Sequence, residues 1–169
     1  MISLNTLARP DAVLDLSPSQ VDIRRRIKLN PDGRKQTKKN RPVVPISETL
    51  LPWLQGCEGP RYVLYGGKPV ESIKKSFAKA VADAGLSDVS PYCLRHTMGT
   101  ELRSRGVPEW EAKGFMGHKS ETARTTERYA RFRPDHLGQA VRAIDAYFNR
   151  SKNRSRCGLR SHLQSPACY

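Results

Sequence analysis

Proline and glycine divide the C-terminal half of this 169-residue chain into a series of short helical segments. Residues 90–105 begin with Ser-Pro and are followed by Gly106. Their apolar Leu94, Met98 and Leu102 recur every four residues, as on one face of a helix. Further helices are predicted over residues 108–116, over residues 120–130 and beyond Pro134. This pattern predicts a bundle of short helices joined by tight turns.

Three side chains suited to phosphate chemistry occur in order along these segments. They are Arg95 in SPYCLRHTMGTEL, His118 in GFMGHKS and Tyr129 in TTERYARF. Gly117 ends one helix, so His118 is predicted at a helix exit, and Tyr129 falls in the last turn of the next helix. An arginine, an imidazole and a phenol can together bind a phosphodiester, stabilise its charge and attack it without a metal ion. The order therefore indicates one site that cleaves a phosphodiester.

The first half of the chain reads as a mixture of helices and short strands. A short helix is predicted over residues 3–16, and VDIRRRIKL and RPVVPI read as a hairpin with a basic connection. Ser47 can cap a helix that runs to Leu54, and RYVLYGG reads as a short strand. ESIKKSFAKAVADAG has helical spacing and ends at Gly85. We expect a mainly α-helical α+β fold with a small antiparallel β-sheet.

Charge narrows the class of partner. The chain has 30 Lys plus Arg residues against 16 Asp plus Glu, a formal charge of +14 at pH 7, which favours a polyanion and foremost nucleic acid. No segment approaches the roughly 18 apolar residues of a membrane span, and no amphipathic anchor is evident. The opening MISLNTLARPD lacks the regions of a signal peptide. We therefore expect a cytoplasmic protein.

The length and the 37% apolar content suit one core. We expect one domain over residues 1–148. Residues 149–169 contain no acidic residue and little periodicity, so a basic, disordered tail is expected there.

The motifs LRHT, GH and the tyrosine of TTERYA resemble those of the catalytic domain of tyrosine recombinases, the phage-type integrases. They stand in the same order as in that family, with 23 residues from Arg95 to His118 and 11 from His118 to Tyr129. The resemblance covers roughly residues 3–148. It implies the family's helical bundle with a small antiparallel sheet. Because the chain starts at the family's first-arginine motif, the resemblance also implies a domain that is incomplete at its N-terminus.

The resemblance assigns two arginines to the scissile phosphate. TLARPDAVLDL matches the family's first motif and places this role on Arg9, and LRHT places the second on Arg95. A guanidinium suits the role because its planar donors match phosphate oxygens. Ala12 stands where the family usually has an acidic residue. His96 is expected to be buried and structural.

The remaining roles follow from the same resemblance. His118 would bind the phosphate, and Tyr129 would be the nucleophile. Tyr92 stands where the family often has His or Lys, and a phenol, a poor base near neutral pH, would mainly position the phosphate. A lysine in the hairpin would protonate the leaving 5′ oxygen; Lys38 is the first choice and Lys35 the second.

The implied reaction is site-specific DNA recombination or integration through a 3′-phosphotyrosyl intermediate. The covalent link preserves the energy of the phosphodiester, so no ATP, metal or other cofactor is required. The implied partners are double-stranded DNA and further copies of the chain, as a tetramer on DNA. The helix over residues 137–148 is expected to dock on a neighbouring protomer.

Three alternatives remain open from the sequence. The first is a relaxing activity like that of type IB topoisomerases, which share the chemistry but not the pairing of sites. The second is a catalytically incompetent DNA-binding remnant of an integrase. The third, a generic basic RNA- or ribosome-binding protein, gives no reason for the ordered Arg, His and Tyr motifs.

Overall fold

The computed structural model describes residues 1–22, 26–37, 39–57, 59–118 and 134–161, the last ten of these by backbone alone. Within these ranges the chain forms seven α-helices and five short strands, with 3₁₀ helices at Pro18–Gln20 and Pro134–His136. None of the described helices combines the length and the apolar character needed to cross a membrane. The expected mainly helical α+β fold with a small antiparallel sheet is confirmed.

The N-terminal residues form two helices, α1 (Ile2–Thr6) and α2 (Pro10–Leu14), where the sequence predicted one. Leu7 lies between them in the left-handed conformation, with φ of 51°. A leucine there is strained and persists only where its surroundings hold it, and this side chain is fully buried. The break places Arg9 immediately before α2.

Three strands form an antiparallel sheet in the order β1 (Val21–Asp22), β2 (Arg26–Lys28) and β3 (Val43–Pro45). VDIRRRIKL does not form the single strand that was predicted, because it folds back so that Val21 pairs with Ile27. The predicted hairpin of β2 and β3 is confirmed, with Ile27 opposite Val44. Its long connection, residues 29–42, carries the basic run.

A short helix and a pair of short strands follow the sheet along the chain. The hydroxyl of Ser47 accepts the N–H of Leu50 in the turn that leads into α3 (Leu51–Leu54), but the N-cap of the helix is Leu50 and not, as predicted, Ser47. RYVLYGG contributes β4 (Leu64–Tyr65), which pairs with β5 (Lys68–Pro69) through a tight two-glycine turn.

Helix α4 (Lys74–Asp83) forms where it was predicted, and the chain leaves it through Gly85 at positive φ. The apolar Ile73, Phe77 and Val81, which recur at helical spacing, are only half-buried, and no residue of α4 is fully buried. Periodicity shows which face of a helix is apolar, but not how completely the rest of the described chain covers it.

Helices α5 (Pro91–Ser104) and α6 (Glu109–Met116) lie side by side. The predicted stripe on α5 is confirmed at Met98 and Leu102, which are fully buried. Helix α6 ends at Gly117 with φ of 69°, the left-handed cap that glycine adopts readily. His118 therefore leaves the helix exit, as predicted.

The last helix, α7 (Gly138–Ser161), extends well past residue 148, where the sequence suggested that order would end. Residues 149–157 contain no proline or glycine and are rich in arginine and lysine, which favour helix. Leu137, Ala140 and Ile144 are buried in the chain's own core, so this apolar face packs within the chain.

One hydrophobic core joins the described α-helices and strands other than α4 and the β4–β5 pair, which contribute no residue to it. Its largest fully buried apolar side chains are Leu7, Leu16, Ile27, Leu29, Leu50, Leu54, Met98, Leu102, Phe115, Leu137 and Ile144. The buried carboxylate of Glu111 on α6 accepts the N–H groups of Gln139 and Ala140, at 3.1 and 2.6 Å. A carboxylate at a helix N-terminus is stabilised by the helix dipole, so Glu111 fixes α7 against α6.

Candidate active site

Arg95 lies at the centre of the candidate site and is only 4% exposed. Its Nη1 donates to the carbonyl of Leu7, and its Nη2 donates to the carbonyl of Met116 at 2.7 Å. Nη2 also lies 3.1 Å from Nε2 of His118. One side chain on α5 thus holds the strained junction before α2 and the exit of α6. The sequence motif did not reveal this structural role.

Arg9 reaches the same site from the start of α2. Its Nη1 donates to the backbone carbonyl of Asn40, at 2.9 Å, and its side chain is half-buried. Its charge also acts on Arg95 and on His118, lowering the pKa of each. The structure therefore brings Arg9, Arg95 and His118 together from three separate stretches of sequence.

The positive charges shape the ionisation of the site. Burial, followed by the charge of Arg9, lowers the pKa of Arg95 to about 10, while Tyr92 acts in the opposite direction. Arg95 remains cationic at neutral pH. Partial shielding from solvent, then the charges of Arg95, Arg9 and Lys113, lower the pKa of His118. His118 is therefore mainly neutral at pH 7 in the absence of an anion.

The contact with Arg95 selects one tautomer of neutral His118. A guanidinium has only donors, so Nε2 of His118 must accept from Arg95 and the proton lies on Nδ1. A phosphate placed beside these cations would favour the imidazolium. His118 can therefore take up a proton when an anion binds and release it when the anion leaves.

The end of the β2–β3 connection forms one wall of the site. We call Asn40–Pro42 the return segment, because it leads back into β3. It packs on the turn at Gly117: a methyl group added to Gly117 would lie 2.6 Å from Cδ of Pro42 and 3.0 Å from the carbonyl oxygen of Asn40. The phosphate-binding candidates Arg9 and His118 are thus joined through this segment.

We expect Gly117→Ala to destabilise the protein by about 3 kcal/mol. The left-handed conformation costs an alanine about 1–2 kcal/mol, and the collision with Pro42 adds about 1–3 kcal/mol. Gly106→Ala is the matched control, because Gly106 has φ of 72° but no atom within 4 Å of the added methyl group. Urea denaturation of both variants measures the difference. Equal losses would show that the return segment does not pack on Gly117.

Tyr92 lies beside this group but at the surface, with 43% of the residue exposed. Its ring centroid is 6.3 Å from that of His96. His96 is exposed, so the expectation of a buried histidine is wrong: it lies on the outer face of α5 and lines a surface groove shared with α6.

Two predicted residues fall outside the described residues: Lys38, the first choice for the general acid, and Tyr129, the proposed nucleophile. Lys35, the second choice, is exposed on the β2–β3 connection. Among the residues that the structure describes, no cluster of three His, Cys, Asp or Glu side chains has the arrangement of a metal site.

The acidic residue expected three places after Arg9 is replaced by Ala12, which is buried in the core. Acidic side chains occur instead at Asp11 and Asp15, where both bind Arg41 of the return segment. The sequence did not predict the burial of Arg41, since nothing among the five basic residues of the β2–β3 connection distinguishes the one that is buried.

Comparison with known proteins identifies the family of the chain. The sequence matches the phage integrase family over residues 1–136. A stretch of 65 residues, 38% of the chain, is 34% identical to the tyrosine recombinase XerC of Bifidobacterium longum and, equally, to that of its subspecies infantis. This stretch covers 18% of each relative's length. The family match spans most of the chain and includes the positions of Arg9, Arg95, His118 and Tyr129, and the chain belongs to the phage integrase family.

Proposed function

We propose that the chain cleaves and rejoins DNA strands at specific sites through a 3′-phosphotyrosyl intermediate, as the catalytic part of a tyrosine recombinase. The observation that carries this proposal is the convergence of Arg9, Arg95 and His118, two cations and an imidazole, at one place. Such groups stabilise charge that develops on a phosphodiester. Membership of the phage integrase family supports the same reading.

In the proposed reaction, Tyr129 releases its phenolic proton to solvent, its oxygen attacks the scissile phosphorus, and the bond from phosphorus to the 5′ oxygen breaks. Arg9 and His118 contact the non-bridging oxygens from the surface of the site. In the free protein, Arg95 lies beneath them and uses three of its five N–H donors on Leu7, Met116 and His118, and protonation of His118 would release one of these donors for the phosphate. Lys38 or Lys35 supplies the proton to the 5′ oxygen.

The proposed proton balance involves His118 as well. Its pKa is lowered in the free protein by the neighbouring cations, and a bound phosphate would offset those charges. Binding of DNA would therefore raise the pKa of His118 and favour its charged form while the phosphate is present. A second strand's 5′ hydroxyl can later attack the phosphotyrosyl bond and release Tyr129.

DNA is the partner that fits the charge of +14. In the proposal, double-stranded DNA binds over Arg9 and the basic β2–β3 connection, and paired sites assemble four copies of the chain. We expect binding to weaken steeply with salt, because each neutralised phosphate releases counterions.

The test is incubation of the chain with nicked suicide duplexes drawn from a library of attachment-like sites, with EDTA present, followed by denaturing electrophoresis. We expect a protein–DNA adduct on the 3′ phosphate and a free 5′ hydroxyl. DNA binding without any adduct would contradict the proposed catalysis and favour a DNA-binding remnant. Relaxation of supercoiled DNA without joining of two sites would favour the topoisomerase-like alternative.

A further inference from the structure

Arg41 is a buried arginine in a strongly basic loop, with only 5% of the residue exposed. Its Nη2 donates to Oδ2 of Asp11 at 2.8 Å and to Oδ2 of Asp15 at 2.9 Å, and its Nη1 donates to the same Asp15 oxygen at 3.0 Å. Burial raises the pKa of Asp11, but the hydrogen bond and charge of Arg41 outweigh it and the net shift is downward. One guanidinium thus binds two carboxylates at the two ends of α2.

The backbone of Arg41 is held as firmly as its side chain. Nε2 of Gln36 donates to the Arg41 carbonyl at 2.7 Å, and the Arg41 N–H donates to Oε1 of Gln36 at 3.1 Å. The N–H of Leu29 donates to the carbonyl of Pro42 at 3.1 Å. These contacts give the return segment a defined position against both the sheet and α2.

Asn40, the residue before Arg41, connects the return segment to the candidate site. The Asn40 carbonyl accepts Nη1 of Arg9 at 2.9 Å and lies against the turn that presents His118. Arg9 is a long, flexible side chain, and ordering such a side chain costs rotamer entropy. A fixed acceptor at Asn40 reduces that cost at the moment when a phosphate binds.

We infer that Arg41 is a positioning residue, which uses Asp11 and Asp15 to hold the Asn40 carbonyl where it fixes Arg9 beside His118. The inference rests on the proposed function only in so far as Arg9 is taken to contact the phosphate; the placement itself can be tested without DNA. The two aspartates lie on either side of Ala12 in the sequence and bind the return segment through Arg41.

The pKa of His118 reports the position of Arg9 independently of activity. The charges that lower it are those of Arg95, Arg9 and Lys113; Arg41 is not among them. We expect Arg41→Met to release Arg9 and so to raise the pKa of His118, measured by NMR titration of its ring protons. In an Arg9→Ala background, Arg41→Met should leave the pKa of His118 unchanged.

This double-mutant cycle separates positioning from a direct electrostatic effect. The carboxylates freed by Arg41→Met would raise the pKa of His118 equally in both backgrounds if they acted directly, and that result would overturn the inference. An unchanged pKa of His118 in the single variant would overturn it as well. Thermal denaturation checks that each variant is folded. Arg41→Lys keeps the positive charge but lacks the planar donors of a guanidinium, and should raise the pKa of His118 less than Arg41→Met does.

Arg61→Met is the matched control. Arg61 also faces Asp15, with Nη1 at 3.6 Å from Oδ1, but its hydrogen bond runs to the carbonyl of Leu14, at 3.4 Å, and not to the carbonyl of a return-segment residue. We expect no change in the pKa of His118 in this variant. A shift as large as that of Arg41→Met would overturn the inference.

Adduct formation provides the second readout. Misplacement of a phosphate-binding group by about 1 Å can cost about 100-fold in rate, so we expect a loss of that order in Arg41→Met and little loss in Arg61→Met. If the wild type forms no adduct, the proposed function fails while the pKa cycle still decides the role of Arg41. An adduct rate unaffected by Arg41→Met would overturn the inference, because Arg9 would then act without this support.

Discussion

Replacement of Tyr129 by phenylalanine is expected to abolish the covalent protein–DNA adduct completely. The variant lacks the single oxygen that would attack phosphorus, while Arg9, Arg95 and His118 keep their contacts. Because a hydroxyl contributes little to phosphate binding by a cationic surface, affinity for the duplex should change by no more than a few-fold. Suicide-duplex electrophoresis and a binding titration at matched salt measure the two quantities.

Tyr92→Phe is the matched control for this experiment. Tyr92 is an exposed phenol close enough to Arg95 to affect its pKa, so it is the described tyrosine best placed to act as a substitute nucleophile. We expect Tyr92→Phe to retain the adduct with a modestly reduced rate. An adduct that persists in Tyr129→Phe and disappears in Tyr92→Phe would transfer the nucleophilic role to Tyr92.

Arg95→Met is expected to lose both activity and stability. Removal of one preorganised group that stabilises transition-state charge typically costs about 100- to 1,000-fold in rate. The carbonyls of Leu7 and Met116 would also lose their donor, and an unsatisfied buried acceptor costs about 1–3 kcal/mol. We expect a free energy of unfolding lower by about 2–5 kcal/mol, measured by urea denaturation.

Two further variants identify the cause of that loss. Arg103→Met removes a cation from the exposed side of the same helix and should change neither stability nor adduct rate substantially. Arg95→Lys keeps the charge, but a single ammonium group cannot donate hydrogen bonds to Leu7, Met116 and His118 at the same time, as the two guanidinium nitrogens do. Full activity in Arg95→Lys would show that charge alone suffices and that the planar arrangement of guanidinium donors is unimportant.

The sequence predicted well those parts of the fold that depend on a few neighbouring residues. Ser90-Pro91 begins α5, Gly106 follows its end, and Gly117 ends α6 at positive φ. Each of these is a local rule of helix capping. The position of His118 at a helix exit followed from the same rule.

What the sequence did not predict depends on distant contacts. The helix break at Leu7 is stabilised by Arg95, which is 88 residues away, and the burial of Arg41 depends on carboxylates more than 25 residues before it. The exposure of His96 and the half-buried face of α4 likewise reflect what packs on a helix. Side-chain spacing identifies a face but not its neighbour.

The sequence predicted which residues belong to the candidate site, but not the contacts that hold them together. The motifs named Arg9, Arg95 and His118, and the structure places these three together. The motifs gave no sign that Arg95 is a buried anchor or that Asn40 and Arg41 connect α2 to the exit of α6. Those roles belong to main-chain carbonyls and to ordinary charged residues, which no short pattern marks.

The most direct test of the central claim is to map the residue that carries the DNA. The trapped adduct would be digested with nuclease and trypsin and its nucleotide-bearing peptide identified by mass spectrometry. We expect attachment at Tyr129, in the peptide that begins directly after Arg128 and ends at Arg131. Attachment at Tyr92, in the tryptic peptide that ends at Arg95, would contradict the central claim.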